Sequence, residues 1–155
     1  MQTKMGIFPE IDRAWITVDN SLYFWNYRNG SDFHTFDQLD QAITSVALVP
    51  PKRGMFIDSI THVLVLSTTK DLYLIAISYN KEKNELELFE TGMNLSVSGL
   101  EVSTIVASKT TGRIFLAGKS HGVNISEVDY TNVETWFKGK CTRICHTGNP
   151  LASVI

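Results

Sequence analysis

The sequence predicts an all-β fold, and three observations carry the prediction. Of 155 residues, 40 are β-branched Val, Ile or Thr, against 7 Ala. That balance suits pleated, half-buried surfaces and disfavours helices. Three segments share one form, an apolar strand, a short polar turn and a second apolar strand: Ala14–Tyr27, His62–Ser78 and Arg113–Tyr130. Each reads as a hairpin. Aligning the turns brings Leu22, Leu72 and Val123 into register, at separations of 50 and 51 residues. Repeats of ~40 to 50 residues with four strands each mark the blades of a propeller. The expected architecture is therefore a partial β-propeller of about three blades, each a four-stranded antiparallel sheet.

Taken in order, the chain enters a blade early, since Arg13–Val18 already has the character of a second strand. Ile43–Val49 and Val102–Ala107 each precede a hairpin and fit the innermost position of a blade. Phe33–Asp37 and Glu85–Glu90 each follow one and fit the outermost. The blade pieces are then 6–37, 42–90 and 101–140, with 141–155 leading into the next blade or loop. Middle strands of stacked blades are covered on both faces and read as continuous apolar runs. Val63-Leu64-Val65-Leu66 and Leu72-Tyr73-Leu74-Ile75-Ala76-Ile77 are such runs. Glu85-Leu86-Glu87-Leu88 alternates instead, as a strand with one wetted face should. Asn29-Gly30, Pro50-Pro51-Lys52-Arg53-Gly54, Ser108–Gly112 and His121-Gly122 punctuate the strands. Propellers close with four to eight blades, so the missing blades are expected from the rest of the same protein.

Fourteen Lys and Arg stand against 16 Asp and Glu, for a formal charge of -2, with no polybasic run. Direct nucleic-acid binding, which depends on neutralising phosphates, is not expected. The richest apolar region is broken by Thr68, Thr69, Lys70 and Asp71, well short of the ~20 apolar residues of a membrane helix. Met1–Phe8 lacks the pattern of a signal peptide, and two cysteines make no disulfide framework. A reducing cytosolic or nuclear setting is expected.

Few residues suggest chemistry. Cys141, Cys145 and His146 form a C-x3-C-H cluster. A structural zinc site wants four ligands and a tighter pairing, so packing as small hydrophobes is the simpler role. His34, His62, His121 and His146 fall in different segments without a neighbouring nucleophile. Asp58, Asp71, Glu90 and Glu101 are turn or strand-end acids from which a glycosidase pair could be assembled, but any propeller offers as many. There is no G-x-G-x-x-G and no phosphate loop. The expectation is a protein with no catalytic residue, no metal and no cofactor. Trp15, Trp25, Tyr23 and Tyr73 are expected in inter-blade packing. Leu22-Tyr23-Phe24-Trp25-Asn26 is similar to the strand that ends in the Trp-Asp pair of WD40 blades. The alternative function is accordingly a WD40-like adaptor that captures a peptide through blade turns such as those at Lys70 and Lys119.

Two stretches go further: Gly6-Ile7-Phe8-Pro9-Glu10-Ile11-Asp12-Arg13-Ala14-Trp15, continuing to Trp25-Asn26-Tyr27, and Thr111-Gly112-Arg113-Ile114-Phe115-Leu116-Ala117-Gly118 with Glu127-Val128-Asp129-Tyr130. Both resemble the N-terminal propeller of the large non-FG scaffold nucleoporins of the nuclear pore inner ring, in particular the fungal members. Ser120-His121-Gly122 departs from the pattern, where an acidic residue is expected before the glycine. The resemblance implies a seven-bladed propeller at the head of a longer protein whose remainder is an α-solenoid. It also implies residence at the nuclear pore in the nuclear envelope, without enzymatic activity. The partners implied are other inner-ring nucleoporins and pore-membrane proteins, together with peripheral contact to curved nuclear membrane. The last residues look like the entrance to an apolar, Ser-rich lipid-sensing loop, with Leu151, Ala152, Val154 and Ile155 as its first apolar positions.

Overall fold

The computed structural model describes residues 3–97, 100–119, 123–132 and 139–145. Among the described residues are twelve strands: β1 (Thr3–Phe8), β2 (Arg13–Val18), β3 (Ser21–Asn26), β4 (Ser31–Phe36), β5 (Ile43–Val49), β6 (His62–Thr68), β7 (Asp71–Asn80), β8 (Glu85–Ser96), β9 (Glu101–Ala107), β10 (Ile114–Lys119), β11 (Val123–Asn132) and β12 (Gly139–Cys145). One 3-10 turn, Pro9–Ile11, separates the first two. The strands form three four-stranded sheets, β1–β4, β5–β8 and β9–β12, each an antiparallel meander in chain order. First strands lie side by side, β5 against β9, and so do fourth strands, β8 against β12. This is the stacking of blades in a partial propeller.

The three hairpins of the sequence reading are β2–β3, β6–β7 and β10–β11, with Trp15 opposite Phe24, Leu66 opposite Tyr73 and Leu116 opposite Ser126. Two strands go beyond that reading. β1 completes sheet 1; it alternates Lys4, Gly6 and Phe8 with exposed Met5 and Ile7, too weak a pattern to stand out alone. β12 runs to Cys145 and completes sheet 3, where the sequence suggests a passage to a further blade or loop. β8 also continues past Glu90 to Ser96. It does so across a bulge in which the Thr91 hydroxyl donates to the Leu74 carbonyl at 2.5 Å and accepts the Met93 amide at 3.0 Å.

Two apolar layers hold the sheets together, and the strand pleat sorts side chains between them. In β6, Val63 and Val65 enter the layer shared with sheet 3, while Leu64 and Leu66 enter the layer shared with sheet 1. In β7, Leu72 and Leu74 face sheet 3, and Ile75, Ile77 and Tyr79 face sheet 1. Both faces of sheet 2 are buried, which is why its middle strands are apolar without a break. Each such side chain contributes about 1.5 to 3 kcal/mol relative to an exposed one. Glu85-Leu86-Glu87-Leu88 shows the expected wetted outer face, with its glutamates exposed and Leu86 buried.

A repeated device returns the chain from the outer rim to the next inner strand. The Ile43 amide donates to the Asp19 carbonyl, and the Val97 amide to the Lys70 carbonyl, each at 2.8 Å. Both crossing segments are thus pinned to the turn between the second and third strands of the sheet just left. Asn20 adds a bond from its amide side chain to the Leu39 carbonyl at 2.7 Å. Inner strands are linked through the Ser45 hydroxyl, which donates to the Val102 carbonyl at 3.2 Å, and through Lys4 Nζ on the Thr44 carbonyl.

Candidate functional site

The residues with chemical potential do not converge. Asp58 is exposed in the loop before β6, and Asp71 accepts from the Tyr73 hydroxyl at 3.4 Å. Glu90 lines a cavity of about 200 Å³ with Phe36, Leu39, Tyr73 and Met93. Glu101 lines a separate one of about 280 Å³ with Thr44, Thr69 and Lys119. No cluster of three or more His, Cys, Asp or Glu able to hold a metal occurs among the described residues. Cys141 and Cys145 lie in β12, in register with Tyr130 and Ser126. His121, His146 and the four loop positions Leu151, Ala152, Val154 and Ile155 lie outside the described residues. No helix among the described residues is long and apolar enough to cross a membrane.

His34 sits beside Asp32 at 3.0 Å and over the Phe24 ring. His62 borders a groove of about 300 Å³ with Glu10, Val49, Ala107 and Lys109. Burial pushes its imidazole below the ordinary value, and the charge of Glu10 opposes that shift. Of the aromatics, Trp15 is buried between sheets 1 and 2, stacked on Phe8 at 5.7 Å. Its ring lies so close to Gly6 that a Cβ there would come within 2.8 Å. Tyr73 packs at the edge of the same layer, whereas Tyr23 and Trp25 lie half-buried on the opposite face of sheet 1. Asn26, in the place of the WD40 aspartate, is buried and caps its own turn by accepting the Arg28 amide at 2.9 Å. Lys70 and Lys119 are both exposed at one end of the sheets.

The family-like stretches resolve into clasps between sheets. Arg13 is 0% exposed. From β2 its guanidinium donates through Nη1 to the Ile11 carbonyl at 3.0 Å and to Asn84 Oδ1 at 2.7 Å. Through Nη2 it donates to Asp32 Oδ2 at 2.5 Å and to the Asn84 carbonyl at 2.9 Å. Asn84, in the left-handed region at φ 52°, belongs to the β7–β8 turn of sheet 2. Arg13 therefore joins a carboxylate of its own sheet to the next sheet's turn, with Tyr79 stacked at 5.7 Å. Asp12 completes the cluster, accepting from Arg28 at 2.8 Å and from Asn84 at 3.4 Å. The Arg28 hydrogen bond holds the Asp12 carboxyl below its usual value, and Asp12 in turn raises Arg28. Sequence reasoning placed Arg13 in the family-like stretch but assigned it no contact. Its further signal is a charged residue between Ile11 and Ala14-Trp15, in a strand otherwise built for a core.

A second clasp joins sheets 2 and 3. The Lys52 amide donates to the Tyr130 hydroxyl at 2.7 Å, and Lys52 Nζ reaches Asp129 Oδ1 at 3.4 Å. Gly112, at φ 73°, lies against the Lys52 backbone, where a Cβ would meet Cα at 2.7 Å. Glu127 accepts Arg113 in a two-point fork at 2.6 and 2.8 Å, which raises the pKa of the arginine. The motif residues thus build the stack. Surfaces left for partners are the turns, the grooves and the exposed apolar positions Met5, Ile7, Phe33, Ile57 and Val106.

Comparison with known proteins agrees with this geometry. The nucleoporin family described as Nup133 N terminal like matches residues 1–155. Nucleoporin NUP170 of Saccharomyces cerevisiae is 42% identical over 154 residues, covering 99% of this chain and 10% of the relative. Nuclear pore complex protein Nup154 of Drosophila melanogaster is 31% identical, covering 90% of this chain and 10% of the relative. The crystal structure of the Chaetomium thermophilum Nup170 N-terminal domain in complex with Nup53 superposes with a TM-score of 0.85 at 39% identity, covering 96% of this chain and 22% of that one. The chain spans about a tenth of the length of the curated relatives it matches. Its strand order, its period and its match across residues 1–155 place it in one group: the chain belongs to the nucleoporin family of Nup133 N-terminal-like domains.

Proposed function

We propose that this chain is part of the propeller of a nuclear pore scaffold protein, working by protein contacts in the inner ring at the nuclear envelope and not by catalysis. The observation that carries this reading is the family match along residues 1–155, joined to the close superposition on a Nup170 N-terminal domain. That relative is solved with Nup53. The partner proposed here is accordingly a nucleoporin of the same kind, with pore-membrane proteins as neighbours. A rigid stack of sheets presenting turns and grooves suits such a role, because binding hot spots need positions held by a packed scaffold. Contact with curved nuclear membrane is proposed for the segment that includes Leu151, Ala152, Val154 and Ile155, since residues 148–155 carry no charged side chain, a composition that favours lipid defects over anionic headgroups.

Imaging the tagged full-length parent protein in living cells tests the assignment. A punctate nuclear rim that persists when transport is blocked is expected. A diffuse cytosolic signal would overturn it and favour the adaptor reading, in which Lys70 and Lys119 variants abolish capture of one soluble peptide partner. Flotation with small liposomes tests the membrane step. Aspartate at all four loop positions should abolish flotation of the full-length protein, and unchanged flotation removes that segment from the proposal.

A further inference from the structure

We infer that Asn29 is a site of spontaneous covalent modification, its side-chain amide converting to aspartate or isoaspartate, and that the conversion loosens the seam between sheets 1 and 2. Asn29 and Gly30 lie in the turn between β3 and β4, where residues 27–33 are all exposed. Gly30 has φ 71°, and no atom lies within 4 Å of the place a Cβ would occupy. Its nitrogen, beside a bare Cα in open space, is the least hindered nucleophile a backbone offers. Ser31 prepares the electrophile. Its amide donates to Asn29 Oδ1 at 2.9 Å, and its hydroxyl donates to the same oxygen at 2.6 Å. Because an amide N–H only donates, that atom of Asn29 is the oxygen and not the nitrogen. Two donors on a carbonyl oxygen draw charge from Cγ and stabilise the oxyanion formed when a nucleophile adds there.

The Gly30 amide donates to the Asn26 carbonyl at 2.8 Å. Attack therefore waits on a local opening of the turn, which exposed segments undergo at little cost. Gly30 N then bonds to Asn29 Cγ, and its proton passes through solvent to the departing Nδ2, which leaves as ammonia. Water opens the resulting five-membered imide at either carbonyl. Opening at Cγ gives an ordinary aspartate, and opening at the main-chain carbonyl gives isoaspartate, with one more carbon in the backbone path. Water is consumed, ammonia is released, and nothing is oxidised or reduced. The place of the turn gives the change its effect. Just before it, Arg28 Nε donates to Asp12 at 2.8 Å; just after it, Asp32 accepts from Arg13 Nη2 at 2.5 Å. Both contacts belong to the cluster that ties sheet 1 to the Asn84 turn of sheet 2. A new carboxylate beside Arg28 competes with Asp12, and a lengthened backbone shifts Asp32 against Arg13. None of this depends on which partner the protein binds.

Ageing the purified full-length protein at mildly alkaline pH tests the site, with conversion of each asparagine followed by peptide mass spectrometry. Asn29 should convert several-fold faster than Asn80, which is exposed at the end of β7 and followed by Lys81. Equal rates, or no conversion at position 29, overturn the site. Ser31→Ala, which keeps the amide donor and removes the hydroxyl, should slow conversion several-fold; an unchanged rate overturns the role of Ser31. The effect on the seam is read by amide hydrogen exchange at Asp12–Arg13 and Lys81–Glu85. Exchange there should speed up in the aged protein and stay unchanged in aged Asn29→Gln, whose longer side chain does not close the five-membered ring. Conversion at position 29 without faster exchange overturns the link to the seam. So does an equal acceleration in Asn29→Gln, which would assign the loosening to other sites.

Discussion

Arg13 shows how one side chain sets a seam. A buried guanidinium is costly unless its donors are satisfied; five hydrogen bonds with four residues satisfy Nη1 and Nη2, while the buried Nε has no partner among the described residues. Removing it would leave a cavity in the seam and take the shared cation from Asp32 and the Asn84 carbonyl, so Arg13→Ala should lose about 3 kcal/mol in urea unfolding, with little recovered by Lys, which lacks the fork. His62 acts in the opposite sense. Its folded pKa is lowered by burial from the ordinary 6.5, so the unfolded chain takes up the proton more readily. The stability this provides is present above about pH 6.5 and drains away as pH falls toward the lowered folded value. Unfolding free energy should therefore decline between pH 7 and 5, and His62→Gln should flatten that slope.

At the scale of elements, turns rather than strands carry the demanding geometry. Gly112 combines a positive φ with contact to the Lys52 backbone. Gly112→Ala should thus cost about 2 to 3 kcal/mol, seen as a lower urea midpoint with an unchanged slope. The hairpins were legible because Val63–Leu66 and Leu72–Ile77 are apolar on both faces, a pattern that only a doubly covered sheet produces. β1 was not, since only Phe8 of its residues is buried and its pattern alternates weakly; nor was β12, since Gly139-Lys140-Cys141-Thr142-Arg143-Ile144-Cys145 holds no continuous apolar run. The Thr91–Met93 bulge was invisible as well, because it depends on a hydroxyl finding the carbonyl of Leu74 across the sheet.

Across the whole molecule, sheet 2 is the central element, its two faces feeding two separate apolar layers. Leu22 belongs to one layer and Leu116 to the other. Each alanine substitution should cost about 2 to 5 kcal/mol, and the double variant should equal the sum within roughly 0.5 kcal/mol because the two share no neighbour. A clearly larger or smaller double effect would mean that sheet 2 transmits strain between its faces. The amino-acid sequence by itself determined the all-β class, the 50-residue period, the three hairpins and the family, because pleat alternation, β-branching and turn residues act over a few positions and are written locally. Only the tertiary structure decided what the family-like residues do. Arg13 and Asn84, or Lys52 and Tyr130, are 71 and 78 residues apart in the chain. They meet because stacking places a strand of one sheet beside a turn or loop of its neighbour, a relation that no local pattern encodes.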